Sequence, residues 1–141
     1  MRKPFSYIPL DYETERASNS YLMSLLSAFA GMPLPIVNLI ASVIFFIGNR
    51  KGSFFTRWHC TQVLLSQLSL FVINSIGFWW TLHVLLGESE VRNSYISYIL
   101  TVFVINATEL IMNIYAAVQV RKGIHIEWWL YGPFTSMICK P

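Results

Sequence analysis

Glu109 is the only acid or base set deep inside a long apolar stretch of this sequence, Tyr95 to Val120. A carboxyl group at the centre of a hydrocarbon layer costs about 2.5–3.5 kcal/mol on insertion scales, so it must be neutral, paired or turned toward a wet interior. It has amide company, because Asn106, Glu109 and Asn113 recur at i, i+3 and i+7 and share one face of a helix. Asn74 in the preceding apolar stretch and Asn38 in the first lie at similar depth. Such a face can conduct: it offers ions, protons or an extended polypeptide a polar path. It can equally act as glue between helices, at about 1 kcal/mol per contact. No second acid or base stands at that depth, which favours glue.

A second set opens the middle apolar stretch. His59, Gln62 and Ser66 share a face at the same spacing, with Gln67 beside them. A histidine near a helix end can sense pH or ligate a metal. No Cys, His, Asp or Glu set with metal-ligand spacing accompanies it, so the set reads as structural hydrogen bonding. His83 and His125 stand isolated and receive no role. Cys60 and Cys139 are far apart and form no C-x-x-C pair, which suits reduced, structural thiols. The chain has no phosphate-cradling glycine loop, nucleophile elbow, H-E-x-x-H or paired carboxylates. The expectation is a protein that is not an enzyme, without cofactor or metal.

The elements that must position these residues are apolar helices. Only 12% of the 141 residues are charged, against about 25% in soluble domains. A small domain exposes much of its surface, so a chain this poor in charge has lipid around it. Tyr21 to Ile47 and Trp58 to Leu86 hold no charged residue, and each long stretch exceeds the roughly 20 residues that cross a bilayer core. The basic residues gather beside these stretches, as membrane flanks do, which argues against nucleic acid as a partner.

Along the chain, residues 1–17 read as a polar tail, with Ser18 or Asn19 capping the helical segment after it. The first stretch, 20–48, breaks at Gly31, Pro33 and Pro35, because two prolines remove two backbone donors and displace their predecessors from helical geometry. It is either one kinked span or two short helices returning to one face. A second helix is expected over 55–86, a polar connection over 87–94, and a third helix over 95–120 ending at Arg121, Lys122 and Gly123. Residues 124–141 carry Trp128, Trp129, Tyr131 and Phe134 and read as an aromatic tail lying on the membrane surface. The fold class is all-α: one polytopic membrane domain with three apolar segments and, with the first one broken, four helices. The basic 50–57 loop and the C-terminus fall on one side and the acidic 87–94 loop on the other. Positive-inside bias makes the basic side cytoplasmic, in a cell inner membrane.

The order of a proline-broken stretch, a basic loop and then Phe55, His59, Gln62, Val63, Leu64 and Gln67 resembles the Tic-twenty-like family. That family comprises a chloroplast inner-envelope import channel subunit and small bacterial proteins. Its bacterial members open the second helix with a His, followed by an acid or amide and then a Gln, which His59, Gln62 and Gln67 match. The ending from Ile114 to Gly123 and the Tyr131-Gly132-Pro133 run also look similar. The resemblance implies four helices with both ends on one side, and so favours the paired-helix reading of 20–48. Together the residues and the resemblance lead to an accessory or structural subunit of a larger membrane complex. A channel or polypeptide-translocation component is the first alternative and a lipid-binding membrane protein the second. The expected partners are the bilayer and other membrane subunits or further copies of the chain.

Overall fold

A computed structural model describes residues 5–30, 35–87 and 90–140. Among them are five helices and no strand: α1 (Asp11–Ala30), α2 (Pro35–Asn49), α3 (Phe54–Leu85), α4 (Asn93–Arg121) and α5 (Tyr131–Ile138). Gly31 and Pro33 of the expected helix break lie outside the described residues, and Pro35 opens α2. A proline suits a first helical position, where its missing donor would have had no partner.

Among the described residues two helices, not three, are long and apolar enough to cross a membrane: α3 and α4. At 1.5 Å per residue they run roughly 48 and 44 Å. The first apolar stretch supplies no third span because it is divided. Its second piece, α2, has 15 residues, and its first belongs to a longer and more polar helix. That helix, α1, starts at Asp11, ahead of the expected cap at Ser18 or Asn19. The Glu13 carboxylate accepts the Leu10 N–H at 2.8 Å, and the Leu10 carbonyl accepts from Glu13 and Thr14. This is the carboxylate half of a capping box, which starts a helix without Ser or Thr at its head. Ser18 instead sits in the helix interior, buried, and donates to the Ala117 carbonyl of α4 at 2.9 Å.

Hydrogen bonds between helices set their directions. Thr56 donates to the Glu13 carbonyl, Tyr21 meets His59 and Ser24 meets Gln67, so α1 and α3 run parallel. Glu15 pairs with Arg121 and Ser18 with Ala117, so α4 runs antiparallel to α1. The Glu15–Arg121 ion pair is half exposed and contributes little. Helix α2 packs on α1 and α3 and, among the described residues, makes no contact with α4. The start of α1, the 50–53 turn and the segment after α4 therefore share one end of the bundle.

The core sits at that end, where Ala17, Tyr21, Phe55, Val63, Ala116, Ala117, Val120, Ile126 and Trp128 form one buried cluster. Beyond Leu70 on α3 and before Asn113 on α4, Gly77 is the sole residue of the two helices buried in the described structure. There α3 and α4 meet through Tyr98 donating to the Ile73 carbonyl at 2.8 Å, a Thr81–Tyr95 hydroxyl contact at 3.0 Å and an Asn74–Asn106 amide pair. Their outward side chains, among them Leu68, Val72, Ile76, Leu100, Phe103, Val104 and Ile111, are exposed and apolar, as hydrocarbon requires.

Ser53 caps α3, its side chain accepting from the Thr56 N–H. Helix α4 ends where the 121–123 run predicts. Gly123 adopts φ +76°, its N–H bonds the Val120 carbonyl, and the Ile124 N–H bonds the Gln119 carbonyl, which is a Schellman closure. A Cβ at Gly123 would meet nothing closer than 3.9 Å. Any penalty for adding one is therefore conformational. Gly123→Ala is expected to destabilise the fold by about 1 kcal/mol, measured as a lower unfolding midpoint in detergent, while Gly48→Ala, set in open space on helix α2, should leave it unchanged or raise it.

Candidate functional site: a buried polar column

The interior is unusually polar for so apolar a chain. His59, Gln62, Ser66 and Gln67 are all within 1% of full burial, and they rise along one face of α3 as their spacing predicts. Against them α1 sets Tyr21 and Ser24, and α4 sets Glu109 and Asn113. The segment after Gly123 closes the lower end with His125 and the backbone of residues 126–128.

Gln62 is the hub of the lower part. Its amide N–H groups donate to the Tyr21 hydroxyl at 2.9 Å and to the Ile126 carbonyl at 3.3 Å, and its carbonyl accepts the Trp128 N–H at 3.0 Å. Because the Tyr21 oxygen receives a proton from Gln62, its own proton points to His59 Nδ1, 2.8 Å away. A neutral imidazole then keeps its proton on Nε2, and that nitrogen lies 3.2 Å from His125 Nδ1. One directed chain thus runs from Gln62 through Tyr21 and His59 to His125. The rings of Phe5, Phe55 and Trp58 pack around the two imidazoles at centroid distances of 4.4–6.3 Å.

The upper part centres on Glu109. Its Oε1 accepts from Gln67 Nε2 at 2.6 Å and from the Ser66 hydroxyl at 3.2 Å, and the same Gln67 nitrogen donates to Ser24 at 2.7 Å. Helices α1, α3 and α4 therefore meet through one amide. Asn113 is wholly buried one turn on, facing the Glu109 carboxyl outside hydrogen-bonding geometry.

The expected face of Asn106, Glu109, Asn113, Asn74 and Asn38 divides into three. Glu109 and Asn113 join the column. Asn74 and Asn106 form a separate reciprocal amide pair, 3.1 and 2.7 Å, between α3 and α4. Asn38 is on α2, away from α4, and its carbonyl oxygen is buried without a hydrogen bond. Of the residues shared with the resemblance, His59, Gln62 and Gln67 are column members, Gly123 ends α4, and Tyr131 opens α5 and packs on the core.

Sequence reasoning passed over Tyr21, Ser24 and His125. Ala17, Tyr21 and Ser24 stand at i, i+4 and i+7, a signal of one buried face. His125 lies two residues past the reversal at Gly123, which folds it back onto α3. Within the 124–141 tail Ile126 and Trp128 are core residues and α5 packs on α3, with Trp58 reaching Ser136 at 3.4 Å, while Trp129 and Phe134 remain exposed. Cys60 and Cys139 are free and buried, and burial pushes the Cys139 thiol above its ordinary pKa. Among the described residues no group of three or more His, Cys, Asp or Glu is placed to hold a metal.

Two long apolar helices and an interior whose polar groups bind mainly one another define a small helix-bundle membrane protein. Residues 16–138 match the sequence model of the magnetosome magnetite crystal formation protein family, MamF/MmsF. The match covers most of the chain, which belongs to that family. No curated protein and no solved structure matches it. The Tic-twenty-like resemblance is thereby corrected. His59, Gln62 and Gln67 are buried hydrogen-bonding residues, and short patterns of that kind serve helix packing in unrelated bundles.

Proposed function

We propose that this protein is a non-enzymatic accessory subunit of a membrane assembly that takes part in magnetite crystal formation. Its helices hold a fixed shape in the magnetosome membrane against companion proteins or further copies of itself. The family assignment supports the process. The observation that carries the accessory role is the column itself: Gln62, His59, Tyr21, Ser66, Gln67 and Glu109 bond to one another and to backbone, joining α1, α3, α4 and the tail. Such an interior fixes shape and leaves the outer surface to make contacts.

In this reading α3 and α4 cross the bilayer, and α1 with α2 enters from the end that carries Arg50, Lys51, Arg57, Arg121 and Lys122 and returns to it. That end faces the cytoplasm by the positive-inside rule. Extraction of native membranes in mild detergent, followed by mass measurement of the tagged protein, is expected to recover it with companions or as an oligomer. Loss of the gene is expected to change crystal size or shape under the electron microscope. A lone monomer together with unchanged crystals would overturn the proposal.

A further inference from the structure

The upper part of the column contains more oxygen than its hydrogen bonds use. Gln67 Oε1 and both amide atoms of Asn113 are buried and carry no hydrogen bond, although Gln67 is 1% and Asn113 0% exposed. An orphaned buried polar atom costs about 1–3 kcal/mol, and here two are acceptor oxygens, one on α3 and one on α4, that call for an occupant, while the third, Asn113 Nδ2, is a donor. Around them stand the Glu109 carboxyl and the hydroxyls of Ser24 and Ser66, from three different helices. Gln67 reaches Glu109 and Ser24 through its nitrogen, and its free oxygen is the other arm of the same amide.

The charge balance narrows the occupant. Glu109 is the only ionisable group in this part of the column; the groups facing it from α3 and α1 are Ser66, Gln67 and Ser24, all neutral. A lone carboxylate in an apolar surrounding favours a counter-charge of one, whereas a divalent ion would leave a net positive charge buried. Carboxylate, amide and hydroxyl oxygens are hard donors and suit a hard cation, not a thiolate-seeking one.

We propose that Glu109, Gln67 and Asn113, with Ser24 and Ser66, bind a sodium-sized monovalent cation between α1, α3 and α4. The ion takes the free oxygens of Gln67 and Asn113 and the carboxylate oxygen that no hydrogen bond occupies. It clamps the re-entering α1 onto the two long helices at mid-depth. This site is independent of which assembly the protein joins.

The test uses the full chain purified in mild detergent, with its unfolding followed by tryptophan fluorescence at constant ionic strength and pH. Replacing choline chloride by sodium chloride is expected to raise the midpoint saturably, by about 9 °C at a hundredfold excess over Kd. Potassium and magnesium chloride should do less. Glu109→Gln, which keeps the contacts to Ser66 and Gln67 while removing the charge, should abolish the rise. Asn113→Ala should weaken the apparent sodium affinity at least tenfold, and it serves as the deciding variant if Glu109→Gln does not fold. Midpoints that do not distinguish sodium from choline would mean ordered water alone fills the site and would overturn the proposal. So would an undiminished sodium response in Glu109→Gln or, where that variant does not fold, in Asn113→Ala.

Discussion

Gln62→Leu is expected to destabilise the protein by about 3 kcal/mol, although leucine is close in size and more apolar. The reason is the set of groups the change strands. Gln62 is fully buried and serves the Tyr21 hydroxyl, the Ile126 carbonyl and the Trp128 N–H at once. Removing one side of a buried hydrogen bond costs about 1–3 kcal/mol for each group stranded, far more than the net worth of the bond. Two of the three stranded groups are backbone and cannot rotate toward another partner. Tyr21 retains His59, so the total falls below a simple threefold sum. The measurement is an unfolding titration in mixed detergent micelles, with Gln62→Glu as companion. The acid keeps an acceptor for Trp128 and loses the donors to Tyr21 and Ile126. A Gln62→Leu variant within 0.5 kcal/mol of the parent would show that the column is not what joins the tail to the bundle.

How far the sequence reveals this arrangement depends on which physical signal each residue carries. Helices α3 and α4 are legible because nearly thirty residues without a run of charge admit one interpretation, and Gly123 is legible because cations followed by glycine end a helix. The i, i+3, i+7 faces of His59, Gln62 and Ser66, and of Glu109 with Asn113, are also readable, since helical periodicity is local. Whether two faces meet is not local. Asn106 pairs with Asn74 in place of joining Glu109 and Asn113, because α3 and α4 cross with their polar residues at two separate heights. Nothing along either strip of sequence states that. Helix α1 is misread for a different reason. Thr14 falls in what reads as a polar tail and Ser18 in what reads as a cap, yet both are buried within α1, and like those of Ser20 and Ser24 their hydroxyls are taken up by a carbonyl or an amide inside the protein. A short hydroxyl costs little to bury when a backbone carbonyl accepts its proton, so polarity alone does not mark exposure.

Trp128→Ala is expected to cost about 4 kcal/mol, the largest single effect among these substitutions. An aromatic residue on a membrane surface and one in a core look alike in sequence, and the two differ by several-fold in what their removal does. Trp128 is 4% exposed and belongs to the main cluster, its indole 5.9 Å from the Tyr21 ring and 6.0 Å from that of Tyr131. Its neighbour Trp129 is 77% exposed. Truncating a buried tryptophan loses its transfer energy and leaves a cavity, about 3–5 kcal/mol together. The same cut at Trp129 removes exposed surface and should lie within about 1 kcal/mol of the parent. The pair is therefore an internal control on adjacent residues, read from unfolding midpoints in one detergent. The cavity also lies under the Gln62–Ile126–Trp128 bonds, so Trp128→Ala and Gln62→Leu should couple, the double variant losing less than the sum of the two. Equal losses at Trp128 and Trp129 would place the segment after α4 on the surface. The column would then have an open lower end, and His125 would have no fixed place beside His59.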